Sequence, residues 1–199
     1  KSSPDIRNMV LNYRKNHNPT FKMMLPCFTS CGVFAYRNCG SLSWYSEVIC
    51  LDFDHIPGER LKEIKSEICS WDITFMCFIS PSGDGLKVLL RHDNKNPEYH
   101  NNLYAQVLEC FRSFKDYGLY LDSCTSDLPR ATFFSWDPEI YYNPESRPFH
   151  FTPKEGYGLK NKSESRLKTP RPIETENMKR VWEIFNMTWK DKRVLEYIN

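Results

Sequence analysis

The amino-acid sequence predicts an α+β fold in which two helices pack on one antiparallel sheet. Three observations support this prediction. Short runs in which apolar and polar residues alternate are typical of strands. Two longer segments between these runs carry apolar residues at helical spacing. A glycine-containing turn joins two consecutive strands, so the order of elements is β-α-β-β-α-β, the split βαβ or ferredoxin-like pattern.

A short amphipathic helix is expected before the sheet. Ser3 fits an N-cap and Pro4 the first helical position, and apolar residues recur at helical spacing up to about Lys15. Residues 25–32 are punctuated by Pro, Cys and Gly, and residues 33–37 predict a short strand. These segments form an N-terminal extension to the predicted core.

The core itself comprises further predicted strands and two predicted helices. The strands are expected over residues 47–54, 74–80, 86–91, 119–122 and 130–136. The helices are expected over residues 59–69 and 97–117, with Gly118 closing the second. Because both helices lie on one face of the sheet, the other face should be free.

Composition places the chain among folded proteins of ordinary size and excludes several classes. The 199 residues suit one domain, expected over residues 1–151, with a linker over 152–175 and a helical tail or the start of a further module over 176–199. No heptad or Gly-X-Y repeat is present, which excludes a rod. No apolar run approaches the roughly 18 residues of a membrane span, and no signal-peptide pattern opens the chain. We therefore expect a cytoplasmic protein without membrane contact.

The charge is nearly balanced and unevenly distributed. The chain has 27 basic and 25 acidic residues, a net charge of +2. Residues 152–199 hold 11 of the basic and 7 of the acidic residues, so residues 1–151 carry 16 against 18, or −2. Affinity for a polyanion would therefore require a local patch or the tail.

Eight cysteines are present, and several lie in apolar strand-like runs, where a thiol behaves as a small hydrophobic group. Cys27, Cys31 and Cys39 are not accompanied by a second closely spaced pair of ligands, so a zinc site is only weakly indicated. We expect reduced thiols in an intracellular protein. A zinc or redox protein is the least favoured interpretation.

The predicted strand over residues 47–54 supplies the first candidate site. Alternation directs Ile49 and Leu51 to one face of the sheet, and Asp52 and Asp54 to the other. Two carboxylates this close repel each other unless a cation lies between them, and their hard oxygens suit Mg²⁺ or Mn²⁺. A D-x-D pair also caps turns in many proteins, so the pair alone does not establish a metal site.

The glycine-containing turn supplies candidate phosphate contacts. Its Ser80, Ser82, Gly83 and Gly85 offer hydroxyls, amides and a backbone that a ligand can approach closely. A plain β-hairpin turn is the alternative interpretation of the same residues.

Two cations follow on the next predicted strand. If its apolar residues face the helices, Lys87 and Arg91 lie on the open face with Asp52 and Asp54. Cations beside a metal site suit a triphosphate. The alternative is a hairpin with a solvated lysine and arginine.

A third acid and another cation follow the second predicted helix. Asp122 ends a short strand, and Asp127 and Arg130 precede an apolar run. This arrangement either completes a metal triad and adds a phosphate contact, or forms an Asx turn and a surface ion pair.

Several of these segments, taken in order, resemble the VirE N-terminal domain family of the archaeo-eukaryotic primase (prim-pol) superfamily. The resemblance covers about residues 25–148 and rests on the segments LPCFTSCGVF, VICLDFDHI, FISPSGDGLKVLLR, LD with DLPR, and FFSWDPEIYYNP. The first superfamily motif, hhhDhD, falls on Asp52 and Asp54, and the hydrophobic-Asp motif falls on Asp122. The Ser-x-His motif falls on residues 85–87, with lysine where many members have histidine.

The resemblance implies an RRM-like primase catalytic core and template-directed nucleotidyl transfer in the replication of a mobile element. It implies that the three aspartates hold two Mg²⁺ or Mn²⁺ ions roughly 3.5–4 Å apart. Lys87, Arg91 and Arg130 would then contact the triphosphate beside the glycine-containing turn, and lysine serves there as a point charge. The implied partners are nucleoside triphosphates, a single-stranded DNA template and a helicase module in the same full-length chain.

Two other functions stay open at this point. A non-catalytic nucleic-acid-binding module on the same fold is compatible with lysine at position 87 and with the negative charge of residues 1–151. A D-x-D phosphohydrolase would use Asp52 as its nucleophile. Such enzymes alternate strands and helices in a parallel sheet, which the predicted order of elements disfavours.

Overall fold

The protein is an α+β structure with antiparallel sheets, and the computed structural model describes residues 5–112, 116–122 and 125–155. The eight strands of these residues are β1 (Cys27–Thr29), β2 (Gly32–Phe34), β3 (Leu42–Tyr45), β4 (Val48–Phe53), β5 (Thr74–Ile79), β6 (Leu86–Arg91), β7 (Ala131–Phe133) and β8 (Tyr141–Tyr142). The main sheet has the order β4-β6-β5-β8, and β1-β7 and β2-β3 form two smaller sheets. The α-helices are α1 (Ile6–Asn16), α2 (Pro19–Met23), α3 (Gly58–Ser70) and α4 (His100–Arg112).

The central part of the fold follows the alternation seen in the sequence. The predicted strands over residues 47–54, 74–80 and 86–91 are confirmed by β4, β5 and β6, and the helix over 59–69 is confirmed by α3. Apolar side chains of β4 and β6 that share one face are fully buried against α3 and α4. This core includes Ile49, Leu51, Phe53, Ile64, Ile68, Leu86, Val88, Leu90, Leu103 and Val107.

The predictions after β6 are partly wrong. The helix expected over residues 97–117 is shorter, because a 3₁₀ turn (Pro97–Tyr99) precedes α4 and a second one (Tyr117–Leu119) lies beyond its end. The strand expected over 119–122 reduces to a single antiparallel bridge between Leu121 and Phe53. The strand expected over 130–136 is limited to β7, which pairs with β1 outside the main sheet.

The N-terminal predictions also need correction. Asp5 caps α1, since its carboxylate accepts a hydrogen bond from the Asn8 amide (3.0 Å), whereas the predicted cap and first-turn proline lie outside the described residues. The strand expected over residues 33–37 is β2, which begins at Gly32 and ends at Phe34. The sequence did not predict α2, β1 or β3.

The face of the sheet that was expected to be free is covered along much of its length. Met76, Phe78 and Leu89 are buried there, with Phe28 from β1 and Ile140 packed against them. A cleft opens at the end of the sheet that carries the β4 aspartates. The cover comes from β1 and from the segment before β8, which strand alternation alone does not reveal.

The C-terminal predictions lie almost wholly outside the described residues. The description ends at residue 155, so it includes only the first four residues of the predicted linker and none of the predicted tail. The seven cysteines in the described ranges are free thiols. None of the helices in those ranges has the length and apolar character needed to cross a membrane.

Two buried histidines lie beside Tyr45. Its ring is 5.5 Å from the ring of His92 and 5.8 Å from that of His100, and its hydroxyl shares a 3.0 Å hydrogen bond with His100 Nδ1. Burial lowers the pKa of His92 from 6.5 to about 4. Burial, together with the neighbouring His92, lowers the pKa of His100 to about 3.

We expect the free energy of unfolding to decrease as the pH falls from about 6.5 toward 4. In this window the unfolded histidines bind protons and the folded ones do not, so protonation favours the unfolded state. Each histidine should contribute up to about 1.4 kcal/mol per pH unit. Urea denaturation at several pH values measures the effect. His92→Phe should flatten the dependence, and an unchanged slope in His92→Phe would contradict the explanation.

Candidate metal centre and its cleft

Three acidic side chains meet where β4 ends. Leu121 bridges Phe53, and the Asp122 amide donates a 2.8 Å hydrogen bond to the Asp52 carbonyl. Asp122 is therefore the direct cross-strand neighbour of Asp52, and such neighbours share one face of a sheet.

The carboxylates of Asp52, Asp54 and Asp122 form one cluster. One oxygen from each lies within 4.8 Å of the others. The three residues are half-buried, and they belong to chain segments separated by about 70 residues. The structure thus brings together the three acids that the sequence analysis selected.

Lys87 lies on the other side of Asp52 in the sheet. The two residues are register partners on β6 and β4, and the Lys87 ammonium forms an ion pair with the Asp52 carboxylate. Alternation along β6 directs Leu86 and Val88 into the core, which leaves Lys87 on the face of the acids. The position predicted for Lys87 is therefore confirmed.

The electrostatics of Asp52 suit the binding of a cation. Burial raises the pKa of Asp52, the Lys87 ammonium opposes this rise, and the nearby Asp54 and Asp122 add to it. One carboxylate oxygen of Asp52, Oδ1, is buried without a hydrogen-bond partner in the described ranges. Three carboxylate groups at this spacing, one of which has an unpartnered oxygen, fit a Mg²⁺ or Mn²⁺ ion.

The turn between β5 and β6 borders the acids. The Ser80 amide donates to the Gly85 carbonyl (2.8 Å), the Gly83 amide donates to the Ser80 carbonyl (3.0 Å), and the hydroxyls of Ser80 and Ser82 share a 2.9 Å hydrogen bond. Gly83 has a φ of +89°, which side chains other than glycine rarely adopt. The turn is thus a closed loop whose two serine hydroxyls lie beside the cluster.

Arg14 of α1 fixes this turn from the N-terminal side. Its guanidinium donates to the carbonyls of Ser80 (3.0 Å), Pro81 (3.4 Å) and Trp136 (3.0 Å). Burial lowers the pKa of Arg14, and the nearby Asp137 opposes this shift. Sequence reasoning missed this contact because it joins residues more than 60 positions apart.

Gly85 cannot carry a side chain without moving the site. An added Cβ would lie 2.3 Å from the Phe53 carbonyl oxygen, 3.1 Å from Ser80 Oγ and 3.3 Å from Asp54 Oδ1. We expect Gly85→Ala to lower the free energy of unfolding by about 1–3 kcal/mol, as other overpacked substitutions do, and to displace Asp54. Urea denaturation measures the first effect.

A matched control for this substitution is present in α3. An added Cβ at Gly58 would meet no atom within 4 Å. Gly58→Ala should therefore leave stability unchanged or raise it slightly, because alanine reduces the freedom of the unfolded chain. If both variants lost the same stability, the tight fit at Gly85 would not be the cause.

A cleft of about 290 Å³ opens on this site. Asp52 and Asp54 lie at its wall with the serines of the turn, and four cations also line it: Lys22, Arg37, Lys87 and Arg130. Arg130 lies 3.8 Å from Asp122 and 3.4 Å from Asp127, so it connects the acids to the loop before β7. The cleft therefore combines an acidic cluster with a cationic wall.

Not every predicted residue reaches this cleft. Arg91 shares the strand face of Lys87, yet it pairs in register with Val48 at the other end of β4. Its guanidinium donates to the carbonyls of Pro144 (3.1 Å) and Ser146 (3.4 Å). The structure therefore does not bring Arg91 to the acids, because it lies four positions along the strand from Lys87.

Two cations of the cleft were not selected from the sequence. Lys22 belongs to α2, and Arg37 lies in the turn that follows β2. Both come from the N-terminal extension, which packs on one face of the main sheet through Phe28 of β1. Their charge was visible in the sequence, but nothing local to either residue indicated that it faces the acids.

Comparison with known proteins identifies a family for most of the described chain. The family model of the BT4734-like N-terminal domain matches residues 20–142. The chain belongs to this family. The BT4734-like region contains all three acids, the turn and the four cleft cations, whereas Arg14 precedes it. Neither the curated proteins nor the solved structures contain a significant match.

Proposed function

We propose that this protein is a primase/polymerase-type nucleotidyltransferase that adds nucleotides to a nucleic-acid end on a template. The observation that carries the proposal is the cluster of Asp52, Asp54 and Asp122 within 4.8 Å, because two of its members, Asp52 and Asp54, line a cleft that also presents cations. Nucleotidyl transfer needs this combination, because carboxylates hold divalent ions and cations bind the triphosphate.

The sheet order supports the finer proposal of an RRM-like core. In the sheet, β4 has residue 121 on one side and β6 on the other, and β5 lies beyond β6. Along the chain, α3 connects β4 to β5, and α4 follows β6. A ferredoxin-like βαββαβ unit has this arrangement of four neighbouring strand positions. The antiparallel sheet also disfavours the D-x-D phosphohydrolase, whose sheet is parallel.

The chain's own residues have distinct parts in the proposed reaction. Asp52, Asp54 and Asp122 would hold Mg²⁺ or Mn²⁺, which would lower the pKa of the attacking hydroxyl and neutralise charge on the leaving pyrophosphate. Lys87 carries three N–H donors, so it can keep its contact with Asp52 and donate to a phosphate oxygen as well. Arg130 lies within reach of the same region and offers a planar donor fork for phosphate.

The turn between β5 and β6 would orient the triphosphate. Ser82 lies at the cleft wall with its hydroxyl against that of Ser80. Because Arg14 fixes the carbonyls of this turn, the hydroxyls keep one position relative to the acids. The proposed substrates are nucleoside triphosphates and a single-stranded template, supplied in the cell beside a helicase module of the full-length protein.

Extension of a labelled primer on a template tests the proposal directly. The full chain should incorporate nucleotides with Mg²⁺ or Mn²⁺ and none after EDTA treatment, and titration calorimetry should detect Mn²⁺ binding. Ribo- and deoxyribonucleoside triphosphates, with primed and unprimed templates, should be compared. Absence of incorporation in all of these reactions would overturn the proposal.

A second candidate function is a non-catalytic nucleic-acid-binding module. The observation that favours it is the Lys87–Asp52 ion pair, because an ammonium group can neutralise part of the acidic cluster without a metal. This candidate predicts no Mn²⁺ binding, and strand binding that is equal with and without Mg²⁺. The calorimetric experiment therefore separates the two functions even before activity is measured.

A further inference from the structure

Among the residues that the structure describes, Lys22 and Arg37 differ from the other cations of the cleft because neither has an acidic partner. Lys87 is paired with Asp52, and Arg130 lies between two aspartates. In the part of the chain that the structure describes, neither Lys22 nor Arg37 forms an ion pair; Lys22 instead lies 5.8 Å above the Phe133 ring. These two uncompensated charges line the same cleft as the acids.

Exposed apolar side chains lie directly beside both cations in the chain. Met23 and Met24 follow Lys22, and Tyr36 precedes Arg37. Met23 is 72% exposed and Tyr36 is 76% exposed. Six large apolar side chains are exposed in the described ranges, so half of them flank these two cations. Exposed apolar groups concentrated next to the cleft cations in the chain indicate a contact surface.

Tyr36 lies at the tip of a tight turn. The Asn38 amide donates to the Tyr36 carbonyl (2.7 Å), and the Ala35 amide donates to the Ser41 carbonyl (2.9 Å), so the backbone on both sides of the ring is fixed. The aromatic ring is therefore presented to solvent from a rigid turn, beside a cation that faces the cleft.

The two cations and the exposed aromatic ring together indicate the chemical class of the partner. Single-stranded nucleic acid is bound by cations that contact its phosphates and by aromatic rings that stack on its bases. Lys22 and Arg37 with an exposed ring supply both contacts, and they form a local patch of the kind that polyanion binding requires in residues 1–151, which as a whole carry a net charge of −2.

We propose that Lys22, Tyr36 and Arg37 form the entry surface for a single-stranded nucleic acid, with Tyr36 stacked on a base and the two cations on phosphates. This inference rests on the proposed function, since the strand would be the template or the primer. The N-terminal extension, rather than the main sheet, would then guide the nucleic acid to the acidic cluster.

Fluorescence anisotropy with labelled oligothymidylate of about 12 nucleotides tests the inference. Binding should be measured in EDTA at several KCl concentrations, and a uridylate oligomer shows whether DNA or RNA is preferred. Tyr36→Ala should weaken binding about tenfold with an unchanged salt slope, because stacking contributes at this level and releases no counterions. Tyr36→Phe should bind like the wild type.

The cation variants should give a different signature. Lys22→Ala and Arg37→Ala should each reduce the slope of log K against log salt by about 0.7, the value for one lost phosphate contact on a single strand. Lys62→Ala on the exposed side of α3 and Tyr99→Ala before α4 are the matched controls, and both should bind normally. Equal losses in the controls, or no loss in Tyr36→Ala, would overturn the inference.

The experiment separates this inference from the proposed function. The oligomers are bound without metal, so strand binding that depends on Tyr36 in a protein without incorporation would contradict only the enzymatic proposal. Incorporation that persists unchanged in Tyr36→Ala and in Arg37→Ala would contradict only the entry surface. Failure of the wild type to bind any oligomer also overturns the entry surface.

Discussion

Asp52→Asn is expected to lower nucleotide incorporation by more than about a hundredfold. Loss of a residue that merely supports a metal ligand costs 10- to 100-fold, and Asp52 is proposed to be a ligand itself. Asparagine keeps the shape of the side chain but lacks the negative charge that a divalent ion requires. Primer extension under saturating nucleotide measures the loss, and titration calorimetry should show weaker Mn²⁺ binding in the same variant.

The same substitution should not unfold the protein. Burial, opposed by Lys87 and reinforced by Asp54 and Asp122, raises the pKa of Asp52, so the charged form is disfavoured in the folded state. A group whose folded pKa is raised in this way reduces stability at neutral pH, where the unfolded carboxyl is ionised. Asp52→Asn should therefore unfold at the same or a higher urea concentration than the wild type.

Asp127 supplies the control for charge. It lines the same cleft and lies 3.4 Å from Arg130, but it is not one of the three clustered acids. Asp127→Asn should retain most of the incorporation and all of the Mn²⁺ binding. If Asp52→Asn were as active as Asp127→Asn, the acidic cluster would not be the catalytic centre.

The faces on which Asp52 and Lys87 lie were predictable because they depend on local alternation, whereas the contact of Asp122 with Asp52 depends on a bridge between distant segments. Burial of Ile49, Leu51 and Phe53 on the helix face requires Asp52 to point the other way, and the same rule places Lys87. Alternation, however, predicts only the face of the sheet on which a side chain lies, and not how far along the strand the residue is. Arg91 obeys the same alternation as Lys87, yet four residues at about 3.3 Å each put it at the far end of the sheet.

The remaining features depend on contacts between distant parts of the chain. The β7 strand has a suitable apolar sequence, but its partner is β1, about 100 residues away, and no local pattern selects that partner over the main sheet. The positions of Lys22 and Arg37 in the cleft also depend on long-range contacts, because both residues reach the cleft only when the N-terminal extension has packed against the rest of the domain. Such long-range pairing is decided by the packing of the whole domain.

Asp137→Ala is expected to cause the largest loss of stability among the substitutions considered. The Asp137 carboxylate is 1% exposed and accepts hydrogen bonds from Lys65 Nζ (2.7 Å), the Ile79 amide (2.8 Å) and the Glu139 amide (3.0 Å). Alanine would leave the buried ammonium of Lys65 with only the Glu139 carbonyl and would strip two amides of their acceptor. Removing one partner of a buried ion pair costs about 3–5 kcal/mol.

Urea denaturation of the variant measures this loss, and an exposed ion pair provides the reference. Asp72 and Arg147 are 2.7 Å apart on the surface, where solvent screens their attraction, so Arg147→Ala should have only a small effect. Asp137→Asn should fall between the two, because its amide oxygen still accepts from the backbone. Since Ile79 leads directly into the turn that borders the acids, Asp137→Ala should also reduce Mn²⁺ affinity. Equal stabilities of Asp137→Ala and Arg147→Ala would show that the buried pair does not hold this part of the fold.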